Sequence, residues 1–164
     1  MNLAVGIDPG LRGGVAALDP AGTVVGVWPM PVTGGEVHAA GLADLLRSLR
    51  CLDQRQDVGG VALERVAAMP KQGVSSTFTF GTGWGMVRGV CAALGIPVLL
   101  VPPIVWKKRV LLGLPHDKDG ALRFCANRWP CTDLVIPGRR KPHDGIADAL
   151  CLAEYGRVSA INTV

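Results

Sequence analysis

Four acidic side chains stand where their chemistry can be pooled. Asp8 closes an apolar run at the N-terminus, Glu64 closes a second one, and Asp144 and Asp148 lie four residues apart near the C-terminus. On a helix, residues i and i+4 share a face about one turn apart. Three or four carboxylates in one place repel each other and need a counter-charge. An all-oxygen, carboxylate-rich set suits Mg²⁺, with Mn²⁺ as the alternative ion. Two such ions, about 3.5–4 Å apart, clamp the attacking and leaving oxygens in phosphodiester cleavage, one activating water and the other stabilising the leaving 3′ oxygen. His143, next to Asp144, is suited to touch the scissile phosphate or to shuttle a proton. Each residue also has a plainer reading. Asp8-Pro9-Gly10 is a common turn, Glu64 can be a solvated strand end, Asp144 can cap a helix, and His143 can be structural. Asp148 is harder to dismiss, because its neighbours in Gly145-Ile146-Ala147-Asp148-Ala149-Leu150 are apolar and a carboxylate among packing residues needs a partner.

The elements that must position these groups follow from periodicity. Residues 3–8, 13–18 and 23–28 read as three strands, with Asp19-Pro20-Ala21-Gly22 as a hairpin turn, which makes an antiparallel meander. Leu42, Leu45, Leu46 and Leu49 fall at i, i+3, i+4 and i+7 and predict an amphipathic helix over 36–50. Residues 58–64 read as a buried strand. A long helix is expected over 75–94, capped by Ser75, Ser76 or Thr77. Its glycines at 81, 83, 85 and 89 suggest close packing against another backbone or a later helix start. Residues 97–101 read as a strand, 103–112 as a helix opened by Pro103, 117–129 as a helix stopped by Pro130, and 143–155 as a last helix ended at Gly156. This order implies an α/β fold. Its mixed five-stranded sheet, a three-stranded antiparallel meander plus two parallel strands, has helices on both faces. Ligands bind outside the carboxyl ends of strands in such sheets, which is where Asp8 and Glu64 would meet.

With 164 residues the chain has room for one domain, expected over 1–158 with a short tail over 159–164. Hydrophobic residues at 49% support a core. The net charge of +4 is uneven: residues 1–82 carry 6 Lys/Arg and 7 Asp/Glu, whereas 83–164 carry 11 and 6, a mild pointer to a polyanionic partner. No secretory signal is visible. The uncharged stretch 89–106 holds Gly95, Pro97, Pro102 and Pro103, so it cannot be one membrane-spanning helix, and no membrane partner is expected. The five cysteines show no C-x-x-C or Cys/His pairing; four of them sit in apolar or helical surroundings, which reads as small buried hydrophobes in a reducing, cytosol-like compartment.

Gly6-Ile7-Asp8-Pro9-Gly10, Ala62-Leu63-Glu64 and His143-Asp144-Gly145-Ile146-Ala147-Asp148-Ala149-Leu150 resemble the RuvC family of Holliday junction resolvases. The segment from Gln72 to Phe78, the Gly-rich helix and Val105-Trp106-Lys107-Lys108 resemble the phage-type and chloroplast-type branches more than the main bacterial one. The resemblance runs over nearly the whole chain. It implies an RNase H-like fold, Mg²⁺-dependent cleavage with two ions per active site, and a homodimer on four-way junction DNA that makes paired symmetric nicks. It also implies a cytoplasmic, nucleoid-associated location, or the host cytoplasm if phage-encoded. By motif matching, Asp8, Glu64 and Asp148 carry over as metal ligands. Many bacterial relatives space the paired Asp residues at i, i+3 rather than i, i+4, so either Asp144 or His143 fills the fourth role. Those relatives also stack an aromatic three residues after the Glu, where this chain has Ala67; Met69 or Phe78 is the candidate to probe the junction centre.

Lys71, Lys107, Lys108, Arg139, Arg140 and Lys141 are the candidate DNA-backbone contacts, with a solvated basic surface as the alternative. Trp106 reads as a packing residue rather than a base-stacking one. Residues 78–94 are the candidate for part of the dimer interface, with core packing as the alternative. Nothing in the sequence specifies a branch-migration helicase. The competing functions are an RNase H-fold nuclease for other branched DNA or for RNA, a sugar-kinase-like ATPase (for which 164 residues are too few), and a branched-nucleic-acid binder that does not cut.

Overall fold

A computed structural model describes residues 2–51, 57–65 and 73–161. Strands β1 (Asn2–Asp8), β2 (Gly14–Leu18) and β3 (Val24–Pro29) form the expected antiparallel meander. β4 (Val32–Thr33) and β5 (Glu36–Val37) make a small separate hairpin. The helix α1 (Ala39–Cys51) follows, then β6 (Asp57–Glu64), α2 (Val74–Ala93), β7 (Val98–Val101), α3 (Pro103–Val110), α4 (Lys118–Arg128) and α5 (Asp144–Ile161). The main sheet has the order β3-β2-β1-β6-β7, with β1, β6 and β7 parallel.

Strand alternation sorts the core into two layers. Leu3, Val5, Ile7, Val61 and Leu63 face α1 and α2, where Leu42, Leu46, Leu49, Val87 and Cys91 meet them. Ala16, Leu18 and Ala62 face α3, α4 and α5, where Trp106, Cys125 and the run from Ile146 to Ala153 close the other side. Asp8 follows Gly6 by two residues and Glu64 follows Ala62 by two, so both acids belong to the α5 face. The β1–β6 register pairs Ile7 with Leu63, which brings the two acids side by side at the carboxyl ends of adjacent parallel strands.

The seating of α5 depends on glycines in the sheet. A Cβ on Gly6 would overlap the Ala149 carbonyl oxygen and the Ala153 nitrogen. A Cβ on Gly14 would come within 2.8 Å of the Ile146 Cα. Gly145 packs on Arg12 and Gly13, and Gly13 and Gly145 form a parallel bridge. The first turns of α5 therefore lie directly on the β1–β2 end of the sheet.

Several expectations are corrected. The predicted 36–50 helix starts at Ala39, because Glu36 and Val37 pair in β5 after Gly34 and Gly35, both at positive φ. α2 begins at Val74 with Gly73 as its N-cap and no side-chain cap bond, so none of Ser75, Ser76 or Thr77 caps it. The close packing expected of its glycines holds only at Gly83, against Val37; Cβ atoms at Gly81, Gly85 and Gly89 would meet nothing within 4 Å. α3 ends at Val110, before a turn with Gly113 at φ 75°. α5 runs through Gly156, where the glycine packs on Ala62 rather than ending the helix, to Ile161, and takes in the first residues of the expected tail. Cys91, Cys125 and Cys151 are buried as expected, and burial pushes the Cys91 thiol up to about 11, whereas Cys131 is exposed. No helix among the described residues is long and apolar enough to cross a membrane.

Candidate active site

Asp8 ends β1 and shapes its own turn: its Oδ1 accepts the Gly10 N–H at 3.2 Å, so the plainer reading of Asp8-Pro9-Gly10 is also correct. Glu64 is held from two sides. Its Oε1 accepts the Trp106 indole N–H at 3.0 Å, and its carbonyl accepts the Trp84 indole N–H at 3.1 Å. Trp106 is fully buried, so its N–H must find an acceptor within the protein. The packing reading of Trp106 is right. It missed that the ring's polar edge orients Glu64, and the requirement that a buried Trp satisfy its N–H was the available signal. Lys107 Nζ stands 5.3 Å from the centre of the Trp106 ring and donates to the His116 carbonyl at 3.4 Å.

Asp148 sits in a strongly perturbing environment. Its Oδ1 is buried and has no hydrogen-bond partner among the described residues. Its carboxyl is raised to about 7, first by burial and then by the charge of Asp8, with smaller contributions from Glu64 and Asp144; Lys107 pulls the other way. Asp8, Glu64, Asp144 and Asp148 thus share one electrostatic neighbourhood. Among the described residues no three of these groups converge closely enough, as their rotamers stand, to hold an ion between them. The donor set nevertheless fits a hard divalent cation: it is all carboxylate oxygen, and one buried oxygen lacks a protein donor.

At the start of α5, His143 rather than Asp144 takes the capping position. Its Nδ1 accepts the Ile146 N–H at 3.3 Å and its carbonyl accepts the Ala147 N–H at 3.2 Å. With Nδ1 used as an acceptor, the ring's proton belongs on Nε2, which makes His143 a hydrogen-bond donor outward. Asp144 is the first helical residue, and its Oδ1 accepts the Gly145 N–H at 3.2 Å. His143 and Asp144 line a cavity of about 460 Å³ together with Arg12, Arg139, Arg140 and Lys141. Arg12 was not singled out from the sequence; its place four residues after Asp8 was the only hint.

Lys108 and Arg109 are exposed in the last turn of α3. Phe78 projects from α2 with 75% of its surface exposed. Met69 and Lys71 lie outside the described residues.

No protein-family model matches the sequence, and no curated protein matches it. Solved structures do. The chain is similar to Thermus thermophilus RuvC in complex with a Holliday junction substrate, at 18% identity over 99% of this chain and 98% of that one, with a TM-score of 0.69. A second T. thermophilus RuvC structure matches at 19% identity over 99% and 96% of the two chains, with a TM-score of 0.59. Ydc2, the yeast mitochondrial Holliday junction resolvase, matches at 16% identity over 95% and 78%, with a TM-score of 0.52. At these identities the likeness establishes the fold, which is RNase H-like and of the RuvC type.

Proposed function

We propose that this chain is a metal-dependent endonuclease that resolves four-way DNA junctions by paired, symmetric hydrolytic nicks. The observation that carries the reading is the buried, unsatisfied Oδ1 of Asp148 beside Asp8, Glu64 and Asp144 at the carboxyl end of an RNase H-like sheet. The ionised form of a group in that setting is stabilised by a bound cation. The similar structures, RuvC in complex with a Holliday junction substrate and a mitochondrial Holliday junction resolvase, support the choice of substrate.

In this reading Asp8, Glu64 and Asp148 are ligands for divalent ions, two Mg²⁺ with Mn²⁺ as the alternative, and Asp144 completes the set. Bound there, the ions supply an activated water and neutralise charge on the scissile phosphate. The chain's own residues do the positioning. Trp106 and Trp84 fix the Glu64 end, and the glycine-seated α5 fixes Asp148. The Nε2–H of His143 donates a hydrogen bond to a phosphate oxygen. Lys107 and Lys108 on one flank, and Arg139, Arg140 and Lys141 on the other, hold the backbone by charge without reading sequence.

Two matched nicks require two sites facing one junction, hence a two-fold homodimer. The outward face of α2, open at Gly81, Gly85 and Gly89, is the proposed contact. Phe78 at the outer end of that helix is the candidate for the junction centre.

The test is incubation with a synthetic immobile four-way junction, with and without Mg²⁺, with cuts mapped on all four strands. Paired nicks at symmetric positions on two opposing strands are expected only with the ion. Cleavage of an RNA–DNA hybrid in preference to the junction would instead establish an RNase H-fold nuclease of another specificity. Tight junction binding with no cut under any divalent ion would establish a non-cleaving binder.

A further inference from the structure

The cavity at the start of α5 brings four permanent cations to one place: Arg12, Arg139, Arg140 and Lys141, with His143 and Asp144 on its wall. The cations come from two segments that are locked to each other. Arg12 sits in the β1–β2 turn, where the Gly13 N–H bonds the Gly10 carbonyl at 2.8 Å. Gly13 bridges to Gly145, and the bare Cα of Gly145 lets the Arg12 backbone pack on α5 itself. The other three cations ride on the loop before α5. That loop is tied at its base by the His143 N–H to the Leu134 carbonyl at 2.9 Å and turned by the Arg139 N–H to the Ile136 carbonyl at 3.0 Å. None of the four forms an ion pair with an acidic side chain among the described residues. Four exposed cations gathered on two segments, with a single carboxylate between them, make a local positive field that attracts an anion.

We propose that this cavity, which shares Asp144 with the carboxylate cluster, seats one backbone phosphate of the bound strand. Arg12 is its fixed anchor. The guanidinium grips two phosphate oxygens as a planar fork, and Arg139, Arg140 and Lys141 close over it. The inference rests on the reading of the chain as a DNA nuclease and adds a residue and a discrete subsite to it. It makes Arg12 a binding residue that sets where the strand enters, rather than a ligand of the ions.

The experiment measures affinity by fluorescence anisotropy, in EDTA so that the DNA stays intact, from low to moderate salt. The probes are labelled four-way junctions of several sequences and a plain duplex of equal length. Arg12→Ala should weaken binding about tenfold at low salt, equally for all junction sequences, and lower the slope of log affinity against log salt by about 0.7–0.9. Arg12→Lys should keep the wild-type slope with intermediate affinity, since the charge remains and the fork is lost. Arg47→Ala, which removes a cation paired with Asp44 on α1, serves as the control and should leave the slope unchanged. A wild-type protein that prefers junctions, combined with an Arg12→Ala slope equal to the wild-type one, overturns the subsite and leaves the resolvase reading intact. A wild-type protein that binds junction and duplex alike, with the slope reduced in Arg12→Ala on both, removes junction preference and leaves the subsite standing. Absence of binding to any of these DNAs overturns both.

Discussion

Helices α5 and α2 are both rich in small residues and use them in opposite ways. In α5 the small residues point inward: Ala147, Ala149, Cys151 and Ala153 are fully buried, and Gly6 and Gly14 beneath them let the helix backbone rest on the sheet. In α2 they point outward: Gly81, Gly85 and Gly89 have open space where a Cβ would be, and only Gly83, Val87 and Cys91 are buried. Small residues beneath a helix shorten the distance from its axis to the sheet and fix every side chain it carries. Small residues on the outside leave the axis where it is and present a flat surface. The first arrangement suits a helix that must hold Asp148 against Asp8 within a fraction of an ångström. The second suits a helix that meets another large object. The largest expected effect follows from this contrast. Gly6→Ala places a methyl on two backbone groups of α5 that cannot rotate away, and should cost more than about 3 kcal/mol, lowering the melting temperature by roughly 10 °C and abolishing cleavage. Thermal denaturation followed by circular dichroism checks it. A variant with wild-type melting would mean that α5 rides higher on the sheet than the contacts at Gly6 indicate.

Asp148 sharpens the comparison through pH. Its carboxyl is raised to about 7 from an ordinary 3.8, mainly by burial and then by Asp8. Below pH 4 it is protonated in both folded and unfolded chains and contributes nothing. Between about pH 4 and pH 7 the unfolded chain releases the proton while the folded chain keeps it, so stability falls as pH rises, and above pH 7 the full penalty remains. Asp148→Asn should therefore stabilise the metal-free protein at pH 8 by roughly 2–4 kcal/mol, with the gain shrinking toward zero by pH 4. Mg²⁺ should raise the melting temperature of the wild type at pH 8 more than at pH 6, and should do little for the variant. The same variant should bind junctions at least as well as the wild type and cut none. Substantial cutting by it would sink the assignment of Asp148. Asp8→Asn and Glu64→Gln should likewise abolish cleavage, whereas a mild effect of Asp144→Asn would assign that residue mainly to the helix start.

Trp106→Phe isolates the Glu64 end of the site. The substitution keeps most of the ring and deletes the N–H that bonds Glu64 Oε1. Loss of a hydrogen bond to a charged group costs about 1.5–3 kcal/mol, and loss of a partner that orients a metal ligand typically costs about 10–100-fold in activity or metal affinity. The expected result is slower cleavage with a higher Mg²⁺ requirement and unchanged junction affinity. Equal loss in binding and cleavage would mean that Trp106 supports the fold alone.

What could be read from the sequence divides along the same line as the two helices. The antiparallel meander, the two further strands and the placing of Asp8 and Glu64 at strand ends were legible, because apolar runs ending in a charged residue mark where strands leave a core; that β1 and β6 are neighbours came from the structure. The i, i+4 placement of Asp144 and Asp148 was legible for the same kind of reason. The glycines were not. Those of α2 invited a close-packing reading and pack against little, while Gly6, Gly14 and Gly145, which do admit another backbone, sit in unremarked turn and strand contexts. A glycine reports that a Cβ is missing, and only the partner's position says whether the space is used. Arg12 and the Glu64–Trp106 bond were missed because both join segments distant in sequence, 42 residues apart for the latter. The helix expected from 143 starts one residue later, at Asp144, because His143 serves as its cap through Nδ1.

The smallest expected effect has the opposite sign and tests the outward face of α2. Gly85 lies mid-helix, exposed, with nothing within 4 Å of where a Cβ would stand. Replacing it by Ala removes backbone freedom from the unfolded chain and should stabilise an isolated protomer by about 0.5–1 kcal/mol, roughly 2–3 °C in melting temperature. If α2 pairs with its counterpart across a two-fold axis, the same methyl separates two helices that would otherwise approach closely. Gly85→Ala should then melt higher than wild type at concentrations where both are monomeric and lose that advantage where the wild type dimerises. Sedimentation should show a weaker dimer in parallel. Phe78→Ala, at the exposed end of the same helix, should leave melting within about 0.5 kcal/mol while changing which junction sequence is cut or how fast. A constant gain for Gly85→Ala at every concentration, with an unchanged sedimentation profile, would take α2 out of the dimer contact and leave its glycines as an open surface for DNA or for solvent.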